Sequence, residues 1–215
     1  MLIISQGGKR SGNIDVWWLY DDGGLTLLLP YILTTRQQFS ECKLRVFTLA
    51  NRKDELDRET RNMAALLAKF RIEFSSVVVI PDVTKRASDS TRARLDTLLG
   101  KIPKDTIPEE ELLANKEKTN RHLRLAELLQ GHSKDSEIIV MTLPMPRKGN
   151  VSSALYMAWL DIMTENLPPT LLIRYVIMCE VVELIMCFVS GGTRQVFLHS
   201  TARQLQAWYQ CNLLS

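Results

Sequence analysis

Familiar chemical motifs are missing from this sequence. It has no G-x-G-x-x-G and no G-x-x-x-x-G-K-[ST] run, so neither of the common phosphate-cradling fingerprints is present. No serine sits in G-x-S-x-G, the nucleophile elbow of the α/β-hydrolases. Histidine is scarce: His122, His132 and His199 are the only 3, and none lies near a cysteine. The 4 cysteines, Cys42, Cys179, Cys187 and Cys211, form no C-x-x-C pair and no zinc spacing. They read as reduced, structural thiols of a cytosolic compartment. No catalytic residue and no metal ligand is expected. The longest apolar run, Tyr175 to Val189, is interrupted by Glu180 and Glu183, and a spanning helix needs about 20 mostly apolar residues. The N-terminal MLIISQGGKRSGN opens on four apolar residues, against the roughly 7–15 of a signal-peptide core. An excess of one charge is lacking too. Against 27 basic residues stand 24 acidic ones, a net charge of +3, too balanced to argue for nucleic acid or a membrane surface.

What is present is core-forming capacity. The chain of 215 residues is 46% apolar and 24% charged, room for one good-sized domain, or one domain plus tails. It is organised around the stretch NIDVWWLYDDGGLTLLLPYIL, Asn13 to Leu33. Ile14, Val16 and Trp18 alternate with Asp15, Trp17 and Leu19, which predicts a central strand covered on both sides. Asp21 or Asp22 is placed to cap the next helix, and Gly23 and Gly24 let the backbone turn. Leu25, Leu28, Leu29, Ile32 and Leu33 form one helical stripe, with Pro30 inside it predicted to kink the helix.

The alternation continues. Cys42 to Ala50 reads as a second strand. Glu55 to Phe70 reads as a helix burying Met63, Leu66, Leu67 and Phe70, and Glu73 to Ile80 as a third strand buried on both faces. The pattern pauses from about 83 to 116. There Ser88 to Leu99 suits a short helix, and Lys101 to Asn115 a mobile surface insertion. It resumes with a helix from Glu117 to Gly131, ended by that glycine, and a strand from Glu137 to Leu143. A helix capped by Ser152 or Ser153 follows, burying Leu155, Ala158, Trp159 and Ile162. Pro168 and Pro169 break it ahead of a fifth strand, Thr170 to Arg174. The expected fold is α/β, an open and mainly parallel sheet with helices on both faces. The expected organisation is an N-terminal tail over 1–12, the α/β domain over 13–174 and a tail over 175–215, whose Tyr175 to Val189 extends the fifth strand or forms a short apolar helix, leaving one sheet edge unpaired.

Two loops at carboxyl ends of strands are the candidate ligand positions in such a sheet. One is Asp21-Asp22-Gly23-Gly24. The other is Arg147-Lys148-Gly149, ahead of a helix N-terminus suited to a phosphate. Together they suggest a nucleotide site, ATP being the candidate cofactor, although two carboxylates repel a phosphate unless a metal intervenes. A purely structural turn and loop outweighs that reading. Trp17, Trp18 and Trp159 are read as core rather than a stacking platform, and His122 and His132 as surface residues.

Six segments carry a resemblance: NIDVWWLYDDGGLTLLLPYIL, CKLRVF, RNMAALLAKFRIEFS, NRHLRLAELLQGHS, IIVMTLPMPRKGNVSSALYMAWL and LPPTLLIR. In this order they resemble the cytosolic C-terminal domain of the cation-chloride cotransporters, solute carrier family 12, above all the sodium-potassium-chloride branch and next the sodium-chloride branch. The likeness runs from about Lys9 to Arg174. It implies a universal-stress-protein-like fold and a parent symporter of the plasma membrane, carrying chloride with sodium and potassium electroneutrally. It implies that this segment faces the cytosol, dimerises, acts on the transmembrane domain of the parent and regulates transport without being an enzyme. Some relatives hold an adenine nucleotide in this domain, so a free-standing adenine-nucleotide-binding module is the alternative. The chain departs from the family pattern at Met1, which stands just ahead of the DVWW strand, and after Arg174, where the family continues with a glycine and a short last strand. The resemblance thus implies a fragment with an atypical ending.

Overall fold

The computed structural model describes residues 8–19, 24–50, 56–81, 85–103, 106–146, 149–178, 181–190 and 193–199. Five parallel strands form the body of one sheet: β1 (Asn13–Trp18), β2 (Lys43–Leu49), β3 (Ser76–Ile80), β4 (Ile138–Thr142) and β5 (Thr170–Met178). Their order is β3-β2-β1-β4-β5. The chain winds outward from β1 to β3, returns to place β4 on the other side of β1, and winds outward again. That is a doubly wound α/β sheet, the fold class expected from the alternation.

The strand periodicity sorts side chains onto two faces. Ile14, Val16 and Trp18 pack with Val46, Val140 and Ile173 beneath α1 (Leu25–Thr34) and α2 (Leu56–Lys69). Trp17, Phe47, Ile139 and Met141 pack with Leu125, Leu129, Leu155 and Trp159 beneath α5 (Lys116–Ser133) and α6 (Ser153–Thr164). A third layer is added by α3 (Asp89–Leu99), whose Leu95 meets Leu123, Ala158 and Ile162. All three tryptophans of these elements are core.

Several expectations are corrected by long-range structure. The α1 N-cap is Gly24, in the left-handed region at φ 85°, with no side-chain cap. Leu28, Ile32 and Phe70, expected inside, are exposed. β3 is not buried on both faces: it pairs only with β2, and four of its five residues are half-buried, as an edge strand allows. Gly131 does not end α5, which runs on to Ser133. The presumed mobile insertion carries α4 (Glu109–Ala114) and is docked, with Ile107 and Leu112 against the core and Asn115 buried. The fifth strand does extend, to Met178, but the apolar run after it is no helix. It forms β6 (Val181–Ser190), antiparallel to β5, and β7 (Thr193–His199) follows, antiparallel to β6. β5 is therefore interior and β7 holds the edge.

Candidate functional site

In a doubly wound sheet the ligand position is the crevice at the carboxyl ends of the two strands from which the chain winds in opposite directions, here β1 and β4. The two candidate loops leave these strands. Asp21, Asp22, Gly23, Arg147 and Lys148 lie outside the described residues. Of the proposed set, Gly24 and Gly149 are described. Gly24 starts α1, its carbonyl accepting from the amides of Leu27 and Leu28. Gly149 turns at φ 82°. Both dihedrals are ones that only glycine adopts without strain.

The anion seat predicted at the start of α6 has an internal tenant. Ser152 caps the helix by accepting from the Leu155 amide. The amide of Ser152 itself donates to the Glu111 carboxylate of α4 at 2.5 Å. Beside it Asn115 donates through Nδ2 to the carbonyls of Asn150 and Glu111, and receives Lys118 Nζ at 3.0 Å. The α4–α5 elbow is thus pinned onto the β4–α6 loop, and a carboxylate from the chain stands where a bound phosphate would meet the helix N-terminus.

A separate cavity of about 270 Å³ opens at the carboxyl ends of β1 and β2. Trp18, Leu19 and Thr48 line one side, and Glu59, Asn62, Met63 and Leu66 of α2 the other. Among the described residues that line it the one charged group is Glu59, whose carboxylate pairs with Arg58 at 3.4 Å and disfavours a phosphate. Among the described residues no three His, Cys, Asp or Glu gather as metal ligands.

The strongest polar clusters are structural, and sequence patterns did not show them. Asp15, fully buried, takes both prongs of Arg45, Nε at 2.7 Å and Nη2 at 2.6 Å. Only the β1–β2 register puts these two residues opposite each other. His122, expected on the surface, lies half-buried and stacks on Trp159 at 4.5 Å, and burial lowers its pKa to about 4. His132 is exposed, as expected. Glu127 of α5 accepts from the Ser88 hydroxyl and amide, the Thr91 hydroxyl and Arg124. Its partial burial alone would raise the pKa, but these four donors outweigh it and hold the pKa at about 2.

The fold and its polar clusters therefore define a doubly wound α/β domain in which no group of metal ligands gathers among the described residues. Comparison with known proteins gives the family. The family model described as solute carrier family 12 matches residues 3–175. The bumetanide-sensitive sodium-(potassium)-chloride cotransporter of Manduca sexta is 51% identical over 177 residues, covering 80% of this chain and 17% of that protein. Solute carrier family 12 member 2 of Mus musculus is 44% identical over 190 residues, 79% of this chain and 16% of that protein. Member 1 of Homo sapiens is 43% identical over 184 residues, with 77% and 17% covered. The chain belongs to solute carrier family 12, the cation-chloride cotransporters, a family of membrane transporters. It spans about a sixth of the length of these relatives, and among the described residues no helix is long and apolar enough to cross a membrane.

Proposed function

We propose that this chain is the cytosolic regulatory and dimerisation domain of an electroneutral sodium-(potassium-)chloride symporter, without enzymatic activity of its own. The observation that carries the reading is the match of residues 3–175 to the solute carrier family 12 model, together with a relative whose name states sodium-(potassium)-chloride cotransport. In this reading the ions move through a transmembrane part of the parent protein, and this domain, on the plasma membrane's cytosolic side, sets the state of that part through homodimer contacts. Exposed Leu28 and Ile32, one turn apart on α1, offer apolar area for such a contact. Sedimentation of the purified chain across a concentration series tests the reading. It is expected to show a monomer–dimer equilibrium, or tight binding to the remaining cytosolic part of a cotransporter. A chain that stays monomeric and binds neither partner overturns it.

One observation favours the rival, an adenine-nucleotide-binding module: the cavity at the carboxyl ends of β1 and β2. Glu111 on the Ser152 amide and the acidic lining of the cavity weigh against it. Calorimetric titration with ATP and magnesium decides, and absence of heat at millimolar nucleotide removes it.

A further inference from the structure

We propose that Ser88 is a phosphorylation site for a basophilic serine/threonine kinase, and that the added phosphoryl group frees the segment around it from α5. The sequence singles it out. Ser88 is the one serine or threonine in the chain with basic residues both two and three positions before it, Arg86 and Lys85. That charge pattern is the kind by which a kinase with an acidic groove selects substrates. The fold presents it suitably: Lys85, Arg86 and Ser88 are exposed, and Ser88 is extended at φ −62°, ψ 154°, ahead of α3 rather than within it.

The hydroxyl has a definite present task. It lies 2.6 Å from Glu127 Oε1, and the Ser88 amide reaches the same oxygen at 2.7 Å. The Thr91 hydroxyl joins at 2.9 Å, while Arg124 holds the other carboxylate oxygen at 2.9 Å. One residue earlier the Ala87 amide donates to Asn120 Oδ1 at 2.9 Å, and Asn120 Nδ2 returns a bond to the Lys85 carbonyl. Residues 85–88 are in effect strapped to α5 by Asn120 and Glu127.

Phosphorylation inverts the chemistry of this strap. Ser88 Oγ attacks the γ-phosphorus of ATP, the bond to the β–γ bridging oxygen breaks, ADP leaves, and the hydroxyl proton passes to the kinase's base. A donor is replaced by a group of about −1.5 to −2 charge with acceptor oxygens. It stands within contact of the Glu127 carboxylate, and two such charges do not share one set of donors. The phosphate keeps the α3 N-terminus, where amides and the helix dipole favour it, and Arg86 is close along the chain. Glu127 is the group that leaves. α3 remains capped while its tie to α5 through Glu127 is lost.

The inference rests on the cytosolic reading above only for access to ATP in the cell, and its test is independent of self-association. The full chain, its Glu127→Gln and Ser88→Ala variants, and a synthetic peptide of residues 84–94 are incubated with the catalytic subunit of a basophilic kinase and magnesium ATP. Phosphopeptide mapping is expected to place one phosphoryl group on Ser88 in the peptide and the full chain, none in Ser88→Ala, and a severalfold faster reaction in Glu127→Gln. Amide exchange at Ala87 and Ser88 of the phosphorylated chain is expected to rise severalfold. A peptide that is not modified, a peptide modified while both the full chain and Glu127→Gln resist, or a phosphorylated chain with unchanged exchange at these two amides each overturns the proposal.

Discussion

Trp159 shows how one residue joins two kinds of force. Its ring is 1% exposed, its Nε1–H donates to Thr119 Oγ1 at 3.1 Å, and His122 stacks on it at 4.5 Å. Trp159→Ala removes the largest side chain of the α5–α6 contact and leaves both partners without their counterpart, so a loss of about 3–5 kcal/mol is expected in urea unfolding. A change below about 1 kcal/mol would mean that the ring does not serve as core. Its burial was legible from helical spacing with Leu155, Ala158 and Ile162. The hydrogen bond and the stack were not, because Thr119 and His122 stand 40 and 37 positions away on another helix, and no local period reports which helices meet. Asp15 is the same lesson with charge. Its place in the strand was readable, but the Arg45 fork that makes a buried carboxylate tolerable depends on strand register.

At the scale of elements, the five parallel strands and the helices between them follow from periodicity, because each repeats its pattern over enough residues to be read alone. What escaped is set by neighbours. β3 reads as a doubly buried strand, and only the strand order reveals that it is an edge. The segment before α5 reads as polar and loop-like, yet Glu111, Leu112 and Asn115 dock it over the β4–α6 loop. The Glu111–Ser152 contact makes α4 a lid on the start of α6, satisfying an amide that a helix leaves without a partner of its own. Glu111→Ala is expected to cost about 1 kcal/mol and to speed amide exchange at Ser152 in proportion. Unchanged exchange there would show that water serves the amide as well as the carboxylate does. The candidate loops were legible as positions, since they follow β1 and β4, the two strands that flank the reversal of winding. That the chain supplies its own carboxylate to one of them was not legible, because it comes from 41 residues upstream.

For the whole molecule, the acid response gathers these local arrangements into one measurable curve. His122 has a pKa of about 4 in the fold against an ordinary value of 6.5, because burial opposes its charge. Below pH 6.5 the unfolded chain takes up a proton that the folded chain refuses, so stability falls as the pH drops from 6.5 to about 4 and is insensitive to this group below that. Glu127 acts in the next window. Despite burial, the hydroxyls, amide and guanidinium around it hold its pKa at about 2 against an ordinary 4.5. The folded chain keeps the charge while the unfolded chain protonates, so the stability due to this carboxylate is present above pH 4.5 and is lost as the pH falls from 4.5 towards 2. Both groups belong to α5, and both contacts tie that helix to a neighbour, α6 through Trp159 and α3 through Ser88. Acid is therefore expected to loosen the three-helix side of the sheet first, in two steps. Urea unfolding at intervals from pH 7 downward measures it. His122→Phe, which retains a ring for the stack, should flatten the upper step alone, and Glu127→Gln the lower step alone. A wild-type curve that stays level between pH 6.5 and 4.5 would show that His122 remains free to take its proton in the folded chain, and with it that the stack on Trp159 opens at no cost.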